Sequence, residues 1–497
     1  MQKKLLTLIS ILLLLGIIVW ALLSVNGRSV DPSNPDKPIT NKGAIRILNK
    51  ELEKLDYKLY INEQEERLVE NSLRGLDPGK YNIKLIAGEY NNWEANVTVI
   101  AGQITEITPY LFSKNSNLVL KTKTPINIDK IFFSEYTDYA YFVVNNTSLG
   151  SEKGIWKISL DESTTVFSTN NSSSLKIFNI DTNLQEIINT GQYKIISSPN
   201  DSKILIYSDK DKLIIDTDPL TSQPNKQSES LTAILGFNPQ EVFWFNQGNA
   251  LIIKDNNLLG HLNLSNNTLE VITYSPDSAP IFSVNGNIVY YVDPNTKKLM
   301  IFKDNNKSEL VLENQQLPMD ISYLRVATSN SNYLIYRSQN KYYYTDIETS
   351  FIGLIGQDIN VIDFSSDGKS LLFEKNSTLF SYYLAEINPL NEYSPQTTEI
   401  ILDYNQASNF VKYNGKSSHI LLLNNMSDGQ ISITAMEKNG KNRYELYKGN
   451  NLVSNYFYML RNNKELILLL RTDTIVVNQS EPNNIQKNHL YSRDLEV

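Results

Sequence analysis

"NVIDFSSDGKSLLFEKNSTLFSYYL", Asn360 to Leu384, holds three short apolar runs separated by two polar breaks. Val361 to Phe364, Leu371 to Phe373 and Leu379 to Leu384 are rich in aliphatic and aromatic residues and short enough to be strands. In the first break Asp367 is placed to bond backbone amides across a turn, and Gly368 can take the positive φ that other residues resist. Working outward, the same order of strand, polar turn, strand, short turn and strand returns from Lys130, Tyr193, Glu241, Ile281, Leu324, Phe410 and Tyr456. Counted with the stretch at Asn360 that makes eight units, at a spacing of about 40 to 50 residues, often with room for a fourth strand.

A single unit of this kind is a small sheet with two faces to cover, so the units must stack around an axis. The period and the four short strands predict a β-propeller over residues 117–480. Eight blades is the first reading and seven the alternative, and an open array of β-sandwiches is the remaining architecture. "NLVLKTKTP", Asn117 to Pro125, is expected to close the ring by pairing with Ile475 to Val477, leaving residues 481–497 as a polar C-terminal tail. "FSSDGKSLLF" (Phe364 to Phe373) and "SSPNDSKILIY" (Ser197 to Tyr207) resemble the Ser-Pro-Asp-Gly-Lys repeat of TolB-like and WD40-like propellers. In that repeat the motif is a structural turn and not an active site.

Ahead of the repeats, "LLTLISILLLLGIIVWALLSV", Leu5 to Val25, runs 21 residues without a charge. At about 1.5 Å per residue such a helix matches the hydrocarbon thickness of a bilayer. Lys3 and Lys4 precede it, so the positive-inside rule places the N-terminus in the cytoplasm and the bulk of the chain outside, in the bacterial cell envelope. The run is longer than the apolar core of a signal peptide and lacks a small-residue cleavage site, which makes residues 1–25 an uncleaved signal-anchor. Three prolines mark residues 26–42 as an extended linker.

Residues 43–112 alternate apolar and polar positions, as in Ile83-Lys84-Leu85-Ile86, and read as a small antiparallel β-sandwich. Pro78 and Gly79 supply a turn, with Gly79 expected at positive φ. "LDPGKYNIKLIAGEYNNWEANVTVIAGQITEITPYL", from Leu76, resembles the PEGA domain, a β-sandwich module of bacterial surface proteins. Gly43, Leu76, Pro78, Gly79, Tyr81, Trp93 and Gly102 carry the resemblance; Glu89 interrupts the usual Gly-Tyr pair, and the tetrad that gives the family its name is absent. The resemblance implies a surface-associated, non-catalytic module.

Catalytic chemistry is sparse. The net charge of −8 without a basic cluster argues against nucleic acid, and the absence of cysteine excludes disulfides and thiolate chemistry. His261, His419 and His489 belong to no metal-ligand pattern, with two expected beside blade strands and His489 in the tail. Neither Gly-x-Ser-x-Gly nor a phosphate-binding glycine loop occurs. The acidic pairs Asp209/Asp211 and Asp216/Asp218 read as solvated turn carboxylates, so no cofactor or metal is expected. Tyr90 and Trp93 are the candidate ligand contacts, because exposed aromatics can stack on sugars. The reading is an all-β binding or scaffolding protein held at the membrane by its N-terminal helix, with a protein, peptide or glycan partner. A propeller-type glycosidase or lyase acting on surface polysaccharide is the alternative.

Overall fold

The computed structural model describes residues 14, 28–30, 39–114, 117–121, 127–145, 152–160, 174–218, 227–312, 317, 320–384, 395–401, 409–414, 418–426, 429–460, 464–476 and 483–495. The apolar run expected to be the signal-anchor lies, apart from Leu14, outside the described residues. Among the described residues no helix is long and apolar enough to cross a membrane. The chain divides into two compact units, residues 1–116 with 495–497, and residues 117–494.

In the first unit Gly43–Ile47 is the middle strand of three, and Tyr57–Ile61 and Gly79–Ala87 are the middle strands of a four-stranded sheet edged by Gln64–Glu66 and Trp93–Val99. Alternation does what the sequence suggests: Ile83, Leu85 and Ala87 turn inward, joining Ile45, Ile47, Trp93, Val97 and Val99 in one core. Each large aliphatic side chain so buried contributes about 1.5 to 3 kcal/mol. Three expectations need correction. The unit is not wholly antiparallel, since Gly43–Ile47 pairs in parallel with Ile104–Ile107. Gly79 opens a strand opposite Val99, and the left-handed glycines among the unit's described residues are Gly75 (φ 76) and Gly102 (φ 75). The linker is not extended throughout, because Arg28–Val30 pairs antiparallel with Ile39–Asn41.

The second unit holds eight four-stranded antiparallel sheets among the described residues. Their first strands are Lys130–Phe133, Tyr193–Ser197, Glu241–Phe245, Phe282–Asn285, Ile321–Val326, Asn360–Phe364, Asn409–Tyr413 and Leu452–Met459. Sheets are numbered one to eight in this order. In sheet six the pairs Phe364↔Leu371 and Leu371↔Tyr382 set the register that the opening stretch suggested. Sheet faces are covered by neighbouring sheets. Leu205 and Ile214 of sheet two share a core with Val242, Trp244 and Leu251 of sheet three. Ile131 and Phe142 of sheet one pack with Ile467, Leu469 and Leu490 of sheet eight. Among the described residues two α-helices interrupt the all-β pattern: Leu231–Leu235 is a short turn of five residues, and Thr182–Thr190 tucks Leu184 and Ile187 into the core shared by sheets one and two.

Hydrogen bonds link successive sheets at their first strands or the turns that follow. Ser134 Oγ meets Ser197 Oγ at 2.8 Å, Trp244 Nε1 donates to Ile196 O at 3.0 Å, and Asn246 N donates to Gly286 O at 2.9 Å. Val326 N donates to Ser283 Oγ, Arg325 to Asp363 Oδ1, Tyr413 N to Asp363 Oδ2 and Lys412 Nζ to Phe457 O. Tyr458 OH of sheet eight then donates to Asp138 of sheet one at 3.1 Å. With first strands next to first strands and the last sheet against the first, the unit is β-propeller-like.

Closure differs from the sequence reading in its partner. Leu118–Leu120 does complete the last sheet, but it pairs with Tyr491, Ser492 and Arg493, whereas Ile475 and Val476 pair with Asn484 and Asn483. The expected polar tail is therefore largely the strand Asn483–Asp494, third in sheet eight. Its polar composition conceals it because ladder hydrogen bonds are made by backbone and ask little of the side chains.

Candidate functional site

Arg325, Asp363 and Lys412 occupy one register position in three consecutive sheets. Each stands opposite the third residue of its neighbouring strand, in the pairs Arg325↔Ile335, Asp363↔Leu372 and Lys412↔Leu421. In sheets one to three the residues at this level are Phe132, Ile196 and Phe243, so the inner layer is apolar on one side and charged on the other. The charged side is self-satisfying. Arg325 Nη2 lies 3.1 Å from Asp363 Oδ1, which also accepts from Phe364 N at 2.9 Å, while Asp363 Oδ2 accepts from Tyr413 N. Lys412 donates to Phe457 O at 3.3 Å and stands over the Phe457 ring, 4.7 Å from its centre.

Burial sets the electrostatics here. It lowers the Lys412 amine to about 8, against the opposing pull of Asp363 and Glu135. Burial also raises Tyr323, with Arg325 working the other way. Beside this layer, Asp367 holds its own turn through Ser365 Oγ (2.7 Å) and Lys369 N (3.0 Å), as the motif predicts, and also binds Lys438 of sheet seven at 2.8 Å. Burial would raise the Asp367 carboxyl, but Lys438 and these hydrogen bonds outweigh it and hold it below the usual carboxylate range. Asp201, in the matching turn of sheet two, reaches back to sheet one, where its carboxylate accepts from Tyr141 OH at 3.0 Å and from Thr137 Oγ1. Both turn aspartates thus lock one sheet to the next. That second role needs partners some 60 to 70 residues away (|i−j| 60 and 71), which local motif reading cannot see.

Of the two aromatics singled out from the sequence, one is withdrawn into the core. Trp93 is 3% exposed and belongs to the core of the first unit, so its ring offers no platform for a sugar. Tyr90 is half-buried against the same core. All three histidines lie in strands and are buried, His489 included, since the tail that was to hold it is a strand. The acidic pairs are taken up locally: Asp211 accepts from Ser230 Oγ at 2.6 Å and Thr232 Oγ1 at 2.7 Å at the start of the helix Leu231–Leu235, and Asp216 binds Lys203 at 2.6 Å. Among the described residues no group of three or more His, Asp or Glu side chains is gathered to hold a metal ion.

No family model and no curated protein matches the sequence. Among solved structures, the eukaryotic initiation factor aligns over 76% of this chain and 92% of its own, at 12% identity and a TM-score of 0.43. The WD40 domain of SCAP from fission yeast covers 76% of this chain and 98% of that one, at 10% identity and a TM-score of 0.39. Hsv2p of Kluyveromyces lactis covers 61% and 98%, at 12% identity and a TM-score of 0.35. The β-propeller-like assignment rests on the strand pairing described above and not on these likenesses.

Proposed function

We propose that the chain is a membrane-anchored, extracytoplasmic binding or scaffolding protein, in which a PEGA-like module is followed by an eight-bladed propeller that receives a protein, peptide or glycan partner. The observation that carries a binding rather than a catalytic role is the inner charged layer. A hydrolytic site needs carboxylates with free oxygens facing a shared substrate. Asp363 instead has both oxygens engaged, by Arg325 and Phe364 N on one and Tyr413 N on the other, and Asp367 is held by Lys438. Such pairs stiffen a ring and leave its turns to make contacts. The eight-sheet circuit of links, closed by Tyr458 and Asp138, supports the blade count. The uncharged run Leu5 to Val25 behind Lys3 and Lys4 supports the anchor.

Three measurements test this reading. Protease added to intact spheroplasts should degrade everything beyond the anchor, and crosslinking of intact cells should capture a partner on the propeller. Full protection from external protease refutes the location. Release of reducing sugar or an unsaturated product from cell-surface polysaccharide by the purified chain refutes the non-catalytic role.

A further inference from the structure

Where sheets two, three and four meet, a polar cavity of about 530 Å³ opens at the end that carries the turns between first and second strands. The size lies within the range of small-ligand sites. Its walls include Asn246 and Asn249 from one turn of sheet three, Asn263 and Ser265 from another, and Asn305 from sheet four. His261 also lines it. This histidine is 7% exposed and leans on Phe245 and Phe302, each with ring centres 5.5 Å away. Its Nδ1 is 4.0 Å from Glu270 Oε2, beyond hydrogen-bond reach, and no described residue hydrogen-bonds the ring. The ring nitrogens keep some accessible surface, so their hydrogen-bonding capacity is open to water or to a ligand in the cavity. Burial lowers its pKa, with Glu270 opposing, which keeps the ring neutral at pH 7 with one donor and one acceptor nitrogen.

We propose that this cavity binds a neutral, polyhydroxylated ligand, a sugar residue of a glycan, with His261 at its buried wall and Asn249 and Asn305 at its rim. The chemistry of the lining selects the class. Carboxamides and a neutral imidazole both donate and accept, as sugar hydroxyls do. An anion finds no free cation, because Lys203 is paired with Asp216 at 2.6 Å and Glu229 adds negative charge. A divalent cation finds a single carboxylate, Glu229, among the lining residues, too little charge to replace its hydration shell. A peptide would need a sheet edge or apolar side-chain pockets, and the cavity is mostly polar.

The inference rests on the binding reading above and names the ligand of one face. Titration of the full chain with cellotriose and with triacetylchitotriose, followed by calorimetry and by the imidazole proton resonances of the three histidines, tests it. At least one of these sugars should saturate and shift only the His261 resonance. Asn249→Ala and Asn305→Ala, at exposed positions, should each weaken binding about tenfold, the effect of a lost hydrogen bond. His261→Phe, which keeps the ring packing, should do the same with an unchanged urea midpoint. Trigalacturonate should bind at least about tenfold more weakly. The proposal is overturned if neither neutral sugar saturates, if binding survives all three substitutions, or if neutral tetrapeptides occupy the site instead. A partner captured by crosslinking in cells, with no sugar binding, would sink the pocket assignment and leave the binding role standing.

Discussion

Replacing Asp201 by Ala should unlatch sheet two from sheet one. Asp201 is 4% exposed, with a backbone in the left-handed region (φ 52). Its carboxylate accepts from Tyr141 OH at 3.0 Å, from Ser134 Oγ at 3.3 Å and from Thr137 Oγ1. Ala removes both acceptor oxygens and with them all three hydrogen bonds. Tyr141 is buried, so its hydroxyl would lose its partner without gaining water, at about 1 to 3 kcal/mol. Thr137 is half-buried and can rehydrate in part, while Ser134 keeps Ser197 at 2.8 Å, so these two together add about 1 kcal/mol. Ala is also less at ease than Asp at positive φ, worth up to about 1 kcal/mol more. The sum is about 2 to 5 kcal/mol, a large part of a typical total stability of roughly 5 to 15.

Urea unfolding of the full chain, followed by the fluorescence of Trp156 in sheet one and Trp244 in sheet three, reads the loss. Asp201→Asn, which keeps one acceptor oxygen and tolerates the backbone, should lose only about 1 to 2 kcal/mol. A double-mutant cycle with Tyr141→Phe should return a coupling of about 1 to 2 kcal/mol. A loss below about 1 kcal/mol for Asp201→Ala at unchanged m-value, or strict additivity in the cycle, would refute the latch.

Gly368→Ala should cost at least about 2 kcal/mol in the same assay: φ is 74 and the added methyl would sit inside contact distance of the Tyr333 ring, whereas Gly79→Ala, with open space around it, should be near neutral. Burial, and secondarily the charge of Lys438, lowers His419 to about 3, so its neutral form is favoured in the folded chain. Its contribution is complete above about pH 6.5 and is lost as pH falls toward about 3, up to about 5 kcal/mol, because only the unfolded chain takes up the proton in that window. His419→Gln should flatten the acid limb of stability measured between those values, and an unchanged limb would contradict the assignment. Deleting residues 481–497 should prevent cooperative folding of the second unit, since it removes the strand between Glu465–Val476 and Leu118–Leu120; a cooperative urea transition in the truncated chain would show the strand to be dispensable.

The strands were legible because alternation and turn chemistry are local. Ile83, Leu85 and Ala87 turn inward for reasons contained within nine residues, and the Asp367-Gly368 turn closes on Ser365 and Lys369 within five. The eight-unit repeat likewise follows from the spacing of such segments, because a lone four-stranded sheet cannot cover its own faces. The strand Asn483–Asp494 was hidden by its polar side chains, and the partner of Leu118–Leu120 was misjudged because both follow from how the ends of the chain meet.

Trp93 illustrates the same limit for function, since an aromatic that stacks on a sugar and one that fills a core are the same residue in sequence, and only packing places it 3% exposed. What the sequence determined by itself was where strands begin and turn, since those choices depend on a few neighbouring residues. Only the tertiary structure decided which charges cancel and which polar groups come to line one cavity. Arg325, Asp363 and Tyr413 come from three sheets, and His261 shares a cavity with asparagines from two. Such encounters are set by ring closure and sheet register, which bring together groups far apart along the chain.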